Sequence, residues 1–571
     1  MFGPGIRYLA RRALVLGIFV AFGITIIRQL AAVFNIAVPT WILACVSTAG
    51  VPLYTALRAN LRQLHNRREA AKLGARDGLR DVFDEVGPVV NVRPLWADIV
   101  VTICPEHIKL ILSTDFNNYV KGQEFQYGMS SVLGTGVFNS DGEMWKFHRS
   151  LSRPYFSRDR ISHFDTFDRH ADQVISLIKQ RMKTGHAIDF QDLIGRFTMD
   201  SATEFLFGSC VNSLHAGIPF PHNAALPLSE SGPAKGQVAT AFAAAFNESM
   251  LHVANRARFG WAWPLLEMWT DKTTAPMRIV SAYIDPIIRD AVEKKKLAKS
   301  LALDTEMTDI KFEEGTTLLD ELLNVTSDPK VLKDETYGFL SGKDTTQWTI
   351  TVIMYFLAMY PQFLTRLREE ILQHVGPTRR PTYDDIRDMK FLRAVINETM
   401  RLYPSVCSLT LKCRQCINAT TWPSPDPDDE RPIYIPAGVQ TPYSVFMMQR
   451  RKDLWGPDAE EFDPDRWLDE RLKKYLLTNS FQFLPFNAGP RICLGQQFAY
   501  NEMSFVIIRL LQSFASVSLD LGAFPPGARP PVEWATQAEG RKAVDKFHPK
   551  MHLTMYSQSG MWLKMTEAEN A

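Results

Sequence analysis

Ten residues near the C-terminus constrain this 571-residue chain more than any others: Phe486-Asn487-Ala488-Gly489-Pro490-Arg491-Ile492-Cys493-Leu494-Gly495. Two glycines bracket one cysteine in a proline-containing turn. Phe498, Met503, Val506 and Leu510 then recur at helical spacing, so a helix follows at once. A cysteine so placed stands just before a helix N-terminus, where free amide N–H groups and the dipole favour a thiolate. Glycines let a flat ligand approach closely, and a thiolate held there meets the demand of axial ligation to haem iron. Arg491, two residues earlier, is placed to pair with a carboxylate of that ligand. A lone cysteine is usually only a buried one; the five fixed positions of Phe-x-x-Gly-x-Arg-x-Cys-x-Gly set this one apart.

Charge excludes other classes. Sixty-four Lys and Arg against 62 Asp and Glu leave a formal +2, without the basic footprint of a nucleic-acid binder. Hydrophobic residues at 46% and charged residues at 22% are ordinary globular values. Seven cysteines are too few, and odd, for a disulfide framework, which favours a reducing compartment.

The N-terminus points to a membrane. Ala13 to Ile27 is apolar and follows Arg7, Arg11 and Arg12; as a helix its 15 residues reach only ~22 Å, short of the ~30 Å hydrocarbon core. Gln29 to Leu57 then runs 29 residues without a charge. Arg58, Arg62, Arg67, Arg68, Lys72 and Arg76 follow, which argues that the next domain is cytoplasmic. Residues 1–60 are therefore expected to form a membrane anchor of one or two passes. A secretory signal peptide is the rival, disfavoured by the longer second run.

Residues 61–571 read as one large, mainly helical body with small β-sheets. Strands are expected over Val89 to Val101 and a helix from Pro105 to Leu112. Longer helices are expected over 159–183, 238–257, 276–297, 331–359, 361–375, 391–402 and 494–514. Gly217 to Gly236, with four prolines, is a loop. Gly134-Thr135-Gly136 lacks the third glycine of a dinucleotide loop, and Cys413-x-x-Cys416 has no second ligand pair for zinc.

The cysteine window resembles the haem-binding loop of the cytochrome P-450 family, and three further motifs occur in that family's order. Trp145-Lys146-Phe147-His148-Arg149 is similar to Trp-x-x-x-Arg, Ser341-Gly342-Lys343-Asp344-Thr345-Thr346 to small-Gly-x-acid-Thr-Thr/Ser, and Glu398-Thr399-Met400-Arg401 to Glu-x-x-Arg. The resemblance covers about residues 80 to 565. It implies the cytochrome P-450 fold behind the anchor, haem b as cofactor, and Cys493 as axial ligand. Phe486, Gly489, Arg491, Trp145, Arg149 and Gly342 become haem-pocket residues. Asp344 and Thr345 become the acid–alcohol pair that relays protons to bound dioxygen. Glu398, Arg401 and Arg466 (from Pro464-Asp465-Arg466-Trp467) become a network supporting the cysteine loop. Either Lys412 or Arg414 qualifies as a further propionate partner.

The implied reaction inserts one oxygen atom of O₂ into a lipophilic substrate. No flavin or nicotinamide module is legible, so electrons are expected from an NADPH–cytochrome reductase of the endoplasmic reticulum, with cytochrome b5 as a second candidate donor. Arg450, Arg451 and Lys452 are candidates for docking it. The phrase from Tyr443 to Pro457 resembles the fungal branch that hydroxylates n-alkanes and fatty acids. Residues near 118–140, 238–270, Gly342 and 405–412 are expected to shape the pocket.

Overall fold

Apolar residues at helical spacing fold this chain into helices that pack around one buried one. The computed structural model describes residues 3–11, 25, 29, 79–93, 98–157, 164–224, 237–304, 317–407, 412–536 and 540–569. The apolar runs expected to anchor the chain lie outside these residues, apart from isolated positions. Among the described residues no single helix is long and apolar enough to cross a membrane.

Eleven helices matter for the site: α1 (Gln123–Leu133), α2 (Gly142–Ser152), α3 (Asp165–Lys183), α4 (Phe190–Phe207), α5 (Gln237–Phe259), α6 (Thr274–Asp304), α7 (Pro329–Leu340), α8 (Lys343–Met359), α9 (Pro361–His374), α10 (Lys390–Leu402) and α11 (Gln496–Ser513). In α8 the run Trp348 to Leu357 is buried on every face, the signature of a central helix. It packs against α4, α10 and α11 within the main apolar core. A second core joins α1, α4, α5, α6 and α7. The sheets are small. Val89–Val92 pairs antiparallel with Ile99–Thr102, and Trp562–Glu567 lies between Ile188–Asp189 and Phe514–Leu519.

Two expectations about helices are corrected. The single helix over 331–359 is divided at Ser341-Gly342. There the Gly342 N–H bonds to the Phe339 carbonyl at 2.9 Å and the Thr345 N–H to the Gly342 carbonyl at 3.1 Å, three residues back rather than four. Glycine's backbone freedom and the Ser341 hydroxyl, which donates to the Gly338 carbonyl at 2.6 Å, favour that tighter turn. Conversely, α4 was not expected. Gly195, Thr198, Asp200, Ser201 and Thr203 are weak helix formers, and tertiary packing overrides them. A Cβ on Gly195 would come within 2.7 Å of the Gln347 amide, which donates to the Gln191 carbonyl at 2.8 Å. The glycine is what lets α4 and α8 meet.

Two buried polar hubs lock these helices. His148 on α2 lies 2.6 Å from Glu335 on α7, with both side chains fully buried; the same carboxylate accepts from the Val137 N–H and the Ser152 hydroxyl, each at 2.9 Å. The neighbouring Asp334 accepts from the Thr135 N–H at 2.8 Å. Gly134 and Gly136 thus make room for carboxylates, since a Cβ on Gly134 would fall 2.0 Å from Asp334.

In the second hub Glu398 and Arg401 on α10 form a bidentate pair at 2.8 Å with no exposure. Glu398 also accepts from the Trp467 indole and the Asp463 N–H, each at 3.0 Å. Arg466 lies 3.6 Å from Glu398 and is held mainly by Asp458, at 2.9 Å. Breaking one side of a buried pair strands the other charge, at about 3–5 kcal/mol. Glu398→Ala is expected to lose stability of that order in denaturant unfolding, whereas an exposed control, Arg387→Ala, is expected to leave it nearly unchanged.

Candidate active site

Between the Cys493 turn and α8 lies a cavity of about 320 Å³ that opens to solvent. Cys493, Phe486, Arg491, Trp145, Arg149, Gly342, Asp344 and Thr345 all line it, brought together from three separate stretches of chain. Gly489 does not; it supports the turn from behind. Its φ of +68° is left-handed, and a Cβ there would sit 1.8 Å from the Leu112 carbonyl oxygen. Only glycine fits.

The turn closes on itself. The Cys493 N–H donates to the Phe486 carbonyl and the Ile492 N–H to the Gly489 carbonyl, each at 3.0 Å. Asn487, also left-handed at φ 68°, is held by the Tyr443 hydroxyl at 2.7 Å. Behind it runs a relay to the second hub. The Leu484 N–H donates to Gln449 Oε1 at 3.0 Å, Gln449 Nε2 donates to the Arg401 carbonyl at 2.8 Å, and Arg401 donates to the Gln449 carbonyl at 2.8 Å. Gln449 is fully buried and was not singled out in the sequence. A lone glutamine carries no motif.

The Cys493 sulfur opens onto the cavity. Burial raises its thiol above the ordinary range, while the Gly495 N–H, Lys412 and Arg149 pull the other way. The Gly495 N–H at the helix N-terminus acts in the direction expected of it and burial acts against it; a bound metal cation would favour the deprotonated sulfur.

Six cations line the same cavity: besides Lys343, which is paired with Asp344, they are Lys121, Arg149, Lys412, Arg414 and Arg491. Burial and mutual repulsion lower several of them. Lys412 is brought down to about 8 by burial and Arg414, and Arg491 to about 10 by burial, Arg414 and Arg149. Lys121 falls well below its ordinary range by burial, Arg414 and Arg491. Asp141 offsets part of this, accepting from Arg491 at 2.7 Å. Arg491 also donates to the Ser140 carbonyl at 2.9 Å and stacks 4.6 Å from the Trp145 ring. Crowding cations beside one carboxylate is unfavourable until more negative charge arrives. A ligand with two carboxylates and a thiolate-seeking metal, as in haem, fits this donor set. Both Lys412 and Arg414 line the cavity.

On the α8 side Asp344 is paired with the buried Lys343 ammonium. The Thr345 hydroxyl donates to the Gly342 carbonyl at 2.6 Å, and Thr349 and Ser405 hydroxyls meet at 2.9 Å just beyond. A further acid, Glu502 on α11, also lines the cavity. Burial raises its carboxyl to about 8, tempered by the hydroxyls of Thr346 and Ser201. Helical spacing places Glu502 on the buried face, but nothing in the sequence marks it as more than a helix residue. The apolar wall comes from Leu133, Val137, Phe138, Met250, Phe339 and Val406, within the stretches expected to shape the pocket. Phe156, Ala202, Phe205 and Leu206, on α4 and before α3, and His552 to Thr554 were not anticipated.

The proposed docking cations divide. Arg450 is buried and lies 3.2 Å from Glu460, which corrects its expected exposure, and Arg451 is paired with Asp453 at 2.5 Å. Lys452 is exposed.

Comparison with known proteins agrees with this geometry. The family description "Cytochrome P450" matches residues 66–535. Cytochrome P450 52E1 of Candida apicola is 37% identical over 425 residues, covering 74% of this chain and 76% of the relative. Cytochrome P450 52A3-A of Candida maltosa is 36% identical, covering 75% and 77%. Cytochrome P450 monooxygenase himC of Aspergillus japonicus is 33% identical, covering 80% and 75%.

Carboxylates bound beside Lys412 would return its ammonium toward the ordinary range, so the bound state would hold a proton that the empty one has shed above pH about 8. Haem titrations of the haem-free chain are expected to show affinity falling as pH rises from about 8. Lys412→Met is expected to flatten that dependence.

Proposed function

This chain belongs to the cytochrome P450 family, whose members are haem b monooxygenases, and on that premise we propose that it hydroxylates a long apolar substrate, an n-alkane or fatty acid ahead of a xenobiotic. One observation carries the reading. A single cavity joins a cysteine sulfur, a cation cluster suited to two propionates, an acid–alcohol helix and a wall of Phe, Leu, Val and Met. Bound haem b supplies the oxidising chemistry, by which one atom of O₂ enters the substrate and the other leaves as water.

The residues divide that work. Cys493 would give the sulfur ligand, and Arg149, Arg491, Lys412 and Arg414 with Trp145 would orient the propionates. Gly342 leaves space beside α8 where a side chain would intrude. The Thr345 hydroxyl, now bonded to the Gly342 carbonyl, is positioned to turn and donate toward that space. Asp344 passes protons to it. Glu502, protonated below pH about 8, holds a second proton against Thr346 on the same helix. The aromatic wall excludes water, which keeps protons from leaking in freely.

Electrons are supplied, in this reading, by an NADPH–cytochrome reductase, with cytochrome b5 as a second donor, at the cysteine side of the haem. The chain sits on the endoplasmic reticulum membrane with residues 61–571 in the cytoplasm. The two apolar runs and the basic cluster from Arg58 to Arg76 support that placement. The likeness of Tyr443 to Pro457 to the alkane and fatty-acid branch, together with the apolar wall, supports the substrate class.

Cys493→Ser is expected to abolish the red-shifted carbon-monoxide band of the reduced protein; its survival would overturn the ligand assignment. Thr345→Ala is expected to keep that band but divert reducing equivalents to peroxide, read as NADPH consumed per product formed. Screening alkanes, fatty acids and polyaromatics by spectral shift and product analysis tests the substrate class.

Glu502 also gives a pH signature. Between the ordinary carboxylate range and about 8 the folded chain binds one proton more than the unfolded chain, so its stability declines as pH rises across that window. Glu502→Gln is expected to remove this slope from denaturant unfolding measured at several pH values.

A further inference from the structure

On the opposite face of α4 from the cavity, three side chains of different chemistry converge. His170 of α3, Glu204 near the end of α4, and Cys210 in the loop after it bring their donor atoms within 4.8 Å of one another. The cavity-facing residues of α4 are Thr198, Ala202, Phe205 and Leu206; at 100° per residue Glu204 points away from them.

The loop is held rigidly. Gly208 ends α4 in the left-handed conformation at φ 66°, and Asn212 is left-handed at φ 57°. The Val211 N–H donates to Thr203 at 3.3 Å and the Ser213 N–H to Asp200 at 2.7 Å. The Asn212 N–H points at the Cys210 sulfur, 3.2 Å away, a contact that favours an anionic sulfur. Burial and the charges of Asp200 and Glu204 push the thiol up to about 12, so an ion has to displace its proton. His170 is 3% exposed, and its Nε2 lies 2.9 Å from Glu204 Oε2.

We propose that His170, Glu204 and Cys210 form a zinc site outside the haem cavity, with water as fourth ligand. Bonds of about 2.0–2.3 Å around a tetrahedron set donor atoms some 3.2–3.8 Å apart, a modest adjustment from the present spacing. The mixture of nitrogen, oxygen and sulfur suits a borderline-soft ion and is refused by Mg²⁺ and Ca²⁺. Glutamate and thiolate together neutralise the ion's charge. On binding, Cys210 releases its proton to solvent and His170 moves its own from Nε2 to Nδ1. The ion would clamp α3 to α4.

One group competes. Arg169 bonds to both Glu204 oxygens, at 2.7 and 3.2 Å. Its side chain is 52% exposed, so it can swing into water and leave the carboxylate to the ion. That competition supplies a discriminating test.

The haem-loaded full chain, stripped with a chelator, is titrated with Zn²⁺ in competition with a chromophoric chelator. One equivalent is expected to bind. Cys210→Ser and His170→Gln are each expected to weaken it by at least the roughly 10- to 100-fold that loss of a supporting contact costs a metal site, with the carbon-monoxide band confirming an intact fold. Arg169→Ala is expected to tighten it. Substituted Co²⁺ is expected to show a sulfur-to-metal charge-transfer band that Cys210→Ser abolishes. Absence of binding, binding unchanged by Cys210→Ser, or an Arg169→Ala variant no tighter than the parent would overturn the site.

Discussion

The bidentate pair between Glu398 and Arg401 is the interaction on which the remaining architecture leans. An unexposed carboxylate and guanidinium repay their desolvation only when every remaining donor and acceptor is matched. Here Trp467, Asp463, Gln449 and the carbonyls of Ala459 and Glu461 do the matching. Those partners come from the segment that wraps the outside of the cysteine turn. Satisfying the pair therefore fixes where that segment runs, and Gln449 carries the constraint on to Leu484 and the turn itself. A helix more than ninety residues upstream of the cysteine thus sets the position of its sulfur.

The cavity distributes its charges unevenly. Five of its six cations gather around Arg414 and Arg491, while the sixth, Lys343, pairs with Asp344 on α8, and Glu502 belongs to α11. Apolar rings fill the space between and beyond. Such a division suits a cofactor with a polar edge and an apolar face: the edge seeks the cations and the face lies against the rings. The same desolvation that lowers Lys412 raises Glu502, so one property of the site prepares both an anion cradle and a proton store.

Much of this was legible in the residues because four short motifs each carry several fixed positions at set spacing. The Cys493 window located the turn, and Trp145 with Arg149 located the helix beside it. Long amphipathic stretches such as α5, α6 and α9 were legible from periodicity. What escaped notice depends on contacts distant in sequence. Helix α4 has poor intrinsic propensity and exists because α8 and α3 cover it. Gln449 and Glu502 gain their roles only from what surrounds them, and a sequence shows residue identity without surroundings. Arg450 misled in the opposite direction: next to Arg451 and Lys452 it looked like part of a surface cluster, yet its side chain turns inward to Glu460. The helix break at Ser341-Gly342 fell inside a continuous apolar pattern, which reports burial and is blind to hydrogen-bond register.

The union of His148 with Glu335 has a mechanical corollary. The first belongs to the helix bearing Trp145 and Arg149, the second to the helix that ends at the Gly342 turn. Neither side chain can retreat into solvent, so the two helices move as one rigid piece. A displacement of the Trp145 and Arg149 end of that piece is therefore carried to the turn at Gly342.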